Sequence, residues 1–178
     1  MKMLRVLCLA LLALLAVPAQ AEMTAVQRVT FAAAVAAETD AGLVACRSVR
    51  NDVCIQAFYN TATTTKAWRE SMPAKDVFEA MNITNFDAVT AGKRDAWRLL
   101  LDFAPLDFSR SKIRKAVSDV WAVAADRDAL LNAATENASR FELVFGGTSA
   151  TEGSVTALKR SVLGPVSLDE VSMSLNGQ

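Results

Sequence analysis

Residues 1–21 settle more about this chain than any other segment, because they decide where the remainder folds. Lys2 and Arg5 open the segment, an apolar run extends from Val6 to Val17, and Ala19, Gln20 and Ala21 close it with small side chains. A charged start, a short apolar middle and an A-x-A end form a secretory leader. The run is too short to cross a bilayer comfortably and has no stop-transfer flank. Cys8 lies inside the run rather than at the cleavage point, which argues against lipid attachment there. The expectation is an exported chain that begins near Glu22 and keeps no stable transmembrane segment after processing.

What remains is about one domain's length, enough to bury a core without metal or several staples. The 19 Lys and Arg balance the 19 Asp and Glu, and losing Lys2 and Arg5 shifts the formal charge from zero to about two negative. A nucleic-acid or anionic-membrane partner would need a local patch, since the net field supplies none. Histidine is absent, which excludes Ser-His-Asp and Cys-His catalysis and every His-based zinc site. Cys46 and Cys54 are the two cysteines beyond the leader, and an even number in an exported chain reads first as a disulfide. On one continuous helix they would stand about 12 Å apart, too far to bond. A bond therefore needs a turn between them, and the polar stretch Arg47–Asp52 suits one; two free or buried thiols are the alternative.

Most of the chain reads as helix. Residues 25–38 are alanine-rich, with Val26, Val29 and Ala33 on one side, and Asp40 is placed to cap a short helix through Cys46. Asn60–Thr65 reads as a threonine-rich connector, and Pro73 suits the first turn of a helix to about Met81. Thr84–Asp87 has capping-box spacing, with a break near Gly92. Trp97, Leu100, Leu101 and Ala104 repeat at helical period, as do Ile113, Ala116, Val117, Val120 and Trp121. Asp126–Phe145 reads as one long helix carrying Leu130, Ala134, Ala138, Phe141 and Phe145 on one face, with Glu136 and Arg140 paired four apart. Gly146 and Gly147 are expected to end it in a left-handed conformation. Ser154–Val162 reads as a strand or hairpin arm, and Ser167–Glu170 as a capping box for a terminal helix.

Candidate sites are few. Arg110, Lys112, Arg114 and Lys115 form the densest basic cluster, fit either for a solvated helix face or for an acidic or phosphate-bearing partner. It lacks the interleaved aromatics of single-strand nucleic-acid binders. Trp97 and Trp121 fit apolar stripes, whereas Trp68 lies in an irregular stretch and is the tryptophan to consider at an interface. Asp102, Asp107, Asp119 and Asp126 could supply an acid and base for glycoside cleavage, but capping and solubility account for each. Gly146–Ser149 lacks the preceding strand and following lysine of a nucleotide loop.

Several ordered blocks resemble a family of small proteins of tailed bacteriophages and prophages. These are Ala37–Asp40 (AETD), Phe58–Asn60 (FYN), Trp68–Ser71 (WRES), Phe86–Arg94 (FDAVTAGKR) with Trp97, and Leu106–Ser109 (LDFS) with Arg114–Ala116 (RKA). Asp119–Trp121 (DVW) and Ala138–Arg140 through Phe145–Ser149 (FGGTS) continue it, with a looser match beyond. The resemblance implies a particle- or tail-associated protein or a phage-derived helical domain, and it carries no catalytic residues. The leader and the Cys46/Cys54 pair depart from the family's pattern, and both point to a copy adapted to an oxidising compartment.

The sequence thus predicts a mainly α, compact multi-helix domain over 22–147 with a short β or irregular appendage over 148–178. It predicts a non-enzymatic protein without cofactor, metal or nucleic-acid partner, working on phage structural or envelope proteins. The other readings are a host-side exported protein that modifies the envelope or blocks superinfection, and, third, an envelope hydrolase.

Overall fold

The computed structural model describes residues 21–161 and 163–176, so the leader through Gln20 lies outside the described residues. Three helices open the chain: α1 (Ala25–Ala37), α2 (Ala41–Ser48) and α3 (Asp52–Asn60). Each starts on a side-chain cap, with Thr24 accepting from the Gln27 amide, Asp40 from Gly42 and Leu43, and Asn51 from Cys54. Phe31 and Val35 are the buried side of α1. Val26 and Val29, on the stripe singled out in the sequence, are largely exposed. The turn between α2 and α3 uses Arg50 at φ 51° and brings Cys46 and Cys54 to a Cα separation of 5.7 Å as a disulfide.

The expectation of a helical body with a β or irregular appendage is wrong. A mixed four-stranded sheet lies within the fold, in the order β2-β1-β4-β3. Strand β1 (Ala62–Trp68) is the segment whose first half was expected to be a connector; its β-branched threonines suit a pleated, half-buried surface. Helices α4 (Ala74–Ala80), α5 (Ile83–Asp87), α6 (Ala91–Leu101), α7 (Ser111–Val120) and α8 (Ala124–Ala133) follow. The cap of α5 is Asn82, not Thr84, and the break expected near Gly92 falls at residues 88–90, between α5 and α6.

The expected long helix over 126–145 is three elements: the end of α8, strand β2 (Thr135–Ser139) and α9 (Arg140–Phe145). Residues 135–139 leave the helix because β1 offers them a ladder: Lys66, Ala67 and Trp68 face Asn137, Glu136 and Thr135 in antiparallel register. The Thr63 hydroxyl adds a bond to the Ala138 carbonyl at 2.8 Å. Glu136 and Arg140 accordingly do not pair. Glu136 meets Arg160, and Arg140 reaches Glu38 and Asp40 while lying over the Phe58 ring. Gly146 follows α9 in extended rather than left-handed backbone, where a Cβ would stand 2.3 Å from the Glu142 carbonyl oxygen.

Nor is the C-terminal segment peripheral. Strands β3 (Ser149–Glu152) and β4 (Val155–Leu158) form a hairpin, and β4 lies parallel to β1 with Ala67 opposite Leu158. Helix α10 (Leu168–Leu175), opened by the Ser167/Glu170 capping box, packs on α1 and α3. Glu170 also accepts the Met23 amide at 2.9 Å, so the two ends of the described chain are tied together.

Two apolar clusters hold these layers. One gathers Trp68, Trp97, Trp121, Phe108 and Leu130 among α4, α6, α7, α8 and the sheet. The other gathers Phe31, Leu43, Ile55, Tyr59, Phe141 and Val171 among α1–α3, α9 and α10. Each fully buried large side chain contributes roughly 1.5–3 kcal/mol relative to exposure.

Candidate functional site

The site grows from the end of β1. After Trp68 the chain leaves the strand, bends at Glu70 and forms an isolated antiparallel bridge at Met72 with Leu106, so residues 106–108 run beside it. The Phe108 amide donates to the Arg69 carbonyl at 2.8 Å, and Met72 and Leu106 exchange both backbone bonds at 2.9 Å. This pairing places Glu70 and Asp107 on one rim. On the other side β4 runs beside β1, so Lys159, just past β4, comes to the same place. The Gly147 amide donates to the Lys159 carbonyl at 2.9 Å, and that bond brings in Thr148. Helix α7 begins between the two rims. The result is an open groove of about 690 Å³ lined by Glu70, Asp107, Arg110, Lys112, Arg114 and Lys159, with Ser109, Ser111, Thr148 and Ala150 completing the wall.

At its base lies a guanidinium with little freedom. Arg114 is 5% exposed. Its Nη1 donates to the carbonyls of Phe108 and Ser109, both at 2.7 Å. Its carbon centre lies 4.9 Å from the centroid of the Trp68 ring, a cation–π contact strengthened by desolvation. Trp68 is itself fully buried, and its indole nitrogen donates to the Ala150 carbonyl at 3.3 Å. The remaining edge of the guanidinium is unengaged: Nε is buried without a partner, and Nη2 makes no hydrogen bond among the described residues. No carboxylate comes within ion-pair distance of Arg114 among them. Desolvation pulls its pKa down, and the more distant Glu152 and Asp107 partly restore it.

The two carboxylates differ. Asp107 is engaged by its own turn, accepting from the Ser109 amide at 3.0 Å and from Arg110 Nε at 2.8 Å. Glu70 has no hydrogen-bond or ion-pair partner among the described residues. Partial burial, and then the neighbouring Asp107 charge, push its carboxyl pKa up. The groove therefore offers fixed and mobile cationic donors together with one uncompensated carboxylate.

Of the residues singled out in the sequence, Arg110, Lys112 and Arg114 meet here. Lys115 does not; it points away and pairs with Asp119 at 3.3 Å. Trp68 cannot be a surface contact, because it is the buried platform beneath Arg114. Glu70 and Lys159 were missed. Glu70 carries no local signal beyond its place after Trp68, and Lys159 joins the site only through the β1–β4 pairing. Among the described residues no group of three or more Cys, Asp or Glu side chains is arranged to hold a metal ion, and no single helix is long and apolar enough to cross a membrane. No protein-family model matches the chain, and no curated protein or solved structure is detectably similar to it.

Proposed function

We propose that this chain is a non-enzymatic binding protein of tailed-phage or prophage descent, acting through its basic groove on the acidic surface of a partner protein. The observation that carries this reading is Arg114, a buried guanidinium locked on Trp68 with one edge unengaged. Burying that charge costs free energy that the two carbonyl bonds and the Trp68 ring offset only in part, and an incoming acidic group would add a partner at Nη2. Asp107 serves the turn it caps, which supports binding over acid–base catalysis in the same groove. The sequence resemblance supplies the class of partner, a phage structural protein.

A second reading has its own support. The pairing of Cys46 with Cys54 is of the kind found in oxidising compartments, and with the leader it favours an exported host-side protein acting on an envelope partner. One experiment separates the two. Particles from an induced culture are purified on a density gradient, the producing cells are fractionated, and both are analysed by mass spectrometry. Peptides of this chain at fixed stoichiometry in the particle band support the particle reading. Recovery confined to the periplasm or medium, with none in particles, replaces it with the second.

A further inference from the structure

We propose that the groove contains a carboxylate-binding subsite at Nη2 of Arg114, which receives an Asp, Glu or C-terminal carboxylate of the partner's acidic segment. The proposal rests on the reading of the groove as the contact face and deepens it. An N–H of Nη2 can donate a charge-assisted hydrogen bond to a carboxylate oxygen, which is stronger than a bond between neutral groups. In Arg114 Nη1 is held by two backbone carbonyls and Nε is buried out of a ligand's reach, which leaves Nη2 to meet an anion in the groove. The Trp68 ring and those carbonyls fix the plane of the guanidinium, so little side-chain freedom is lost when a ligand arrives.

The surroundings choose among anions. Lys112 and Lys159 line the groove, and neither ammonium has an ion-pair partner among the described residues, so both are available to attract negative charge. Glu70 shares the groove, also unpaired, and repels anions in proportion to their charge. A singly charged carboxylate tolerates that neighbour better than a phosphate dianion. A peptide backbone N–H beside the carboxylate can also donate to Glu70, which a free inorganic anion cannot do.

The test uses the isotopically labelled full chain and three probes: a capped peptide of alternating glycine and glutamate, its glutamine counterpart, and inorganic phosphate. The glutamate peptide is expected to move the Arg114 side-chain Nε–H resonance and the amides of 109–114 and Lys159 saturably, and less so as salt is raised. The glutamine peptide should leave them in place. Arg114→Met should weaken binding at least tenfold, and Lys115→Met should leave it unchanged. Because Arg114 is buried, Lys112→Ala with Lys159→Ala provides a second arm: both side chains are exposed, and affinity should fall several-fold with no change in melting temperature. Equal binding by the glutamine peptide, perturbations mapping elsewhere, or no saturable binding at millimolar peptide would overturn the subsite. Tighter binding of phosphate than of the glutamate peptide would overturn its assignment to carboxylates. Carboxylate binding without association with particles or an envelope partner would sink the functional reading alone, and the converse result would sink the subsite alone.

Discussion

Arg160 holds the buried Glu142 carboxylate with two of its nitrogens, Nε on one oxygen and Nη2 on the other at 3.1 Å, while its Nη1 reaches Glu136. Glu142 is also the third residue of the Ser139 capping box, accepting the Ser139 amide at 2.8 Å. One carboxylate thus joins the start of α9 to the segment after β4, 18 residues later.

Removing that charge should be costly, and the cost should depend on pH. Burial opposes the Glu142 charge, but the Arg160 and Ser139 hydrogen bonds outweigh it and hold the carboxyl below its ordinary value of 4.5. A depressed carboxyl pKa gives stability that is fully present above the unfolded-state value and fades as pH falls through the folded-state value. Glu142→Gln should therefore lower stability by about 2–4 kcal/mol at pH 7. The gap from the parent should close as the pH drops below about 4.5. Urea titrations of both proteins at pH 7, 5 and 3 check this, and a gap that stays constant with pH would refute it.

What the sequence made legible follows from how each element is held. Helices α6 and α7 could be read because their own period places Trp97, and then Val117 and Val120, against the core. The Asp40 and Ser167 caps could be read because a cap is a local bond. The sheet could not. Strand β2 is Thr-Glu-Asn-Ala-Ser, with no apolar alternation, and only β1 makes it a strand. Leu130, Ala134, Ala138 and Phe141 are fully buried and Phe145 partly so, so four of the five apolar positions of the expected helix face the core although they belong to separate elements. Helical spacing there coincided with burial from a different cause. The groove was half legible. The basic run was visible, but Arg114 stands three residues before Val117 and seven before Trp121, on the core-facing side of α7, and that spacing was the overlooked sign that one of these cations is buried.

The β3–β4 hairpin turns through Gly153 and Ser154, and Gly153 sits at φ +60°. A positive φ at the first central residue of a two-residue loop calls for glycine. The surroundings add a second constraint: a Cβ there would meet Asp128 Oδ1 at 2.4 Å and Arg127 Nε at 2.7 Å. Asp128 in turn accepts the Ser154 hydroxyl at 2.5 Å, so the turn is docked onto α8. Gly153→Ala should cost about 1–2 kcal/mol from backbone conformation alone, and more if the Asp128 bond is displaced. Ser154→Ala, which removes that bond without straining the backbone, should cost no more than about 1 kcal/mol. Thermal melts of the two variants side by side test the ordering, and equal losses would reject the conformational argument.

The disulfide closes a loop eight residues long across the α2–α3 turn. In the chain-entropy account such a short loop stabilises by about 2–3 kcal/mol. Cys46 is buried in the second apolar cluster and Cys54 is packed against it, so alanine at both positions removes the link and a little apolar contact together. Non-reducing mass spectrometry of protein purified without reductant should recover the two cysteine peptides joined. Chemical reduction should lower the denaturation midpoint without unfolding the first cluster, whose tryptophans Trp68, Trp97 and Trp121 report on it separately. Two free thiols in that material would reject the bond.

Trp68 offers the sharpest contrast between a surface and a core role. A tryptophan at a partner interface can be replaced with small effect on the isolated protein, whereas this one is fully buried, bonds the Ala150 carbonyl and carries Arg114 on its face. Trp68→Phe should lose about 1–3 kcal/mol, from the lost indole bond and the smaller ring. It should also loosen Arg114, since phenylalanine presents a weaker cation–π face than tryptophan. In the NMR experiment that loosening would show as broadening of the Arg114 Nε–H resonance before any peptide is added. A variant as stable as the parent, with an unaltered Arg114 signal, would mean that the platform does not hold the guanidinium and that the groove's central donor is positioned by the two carbonyls alone.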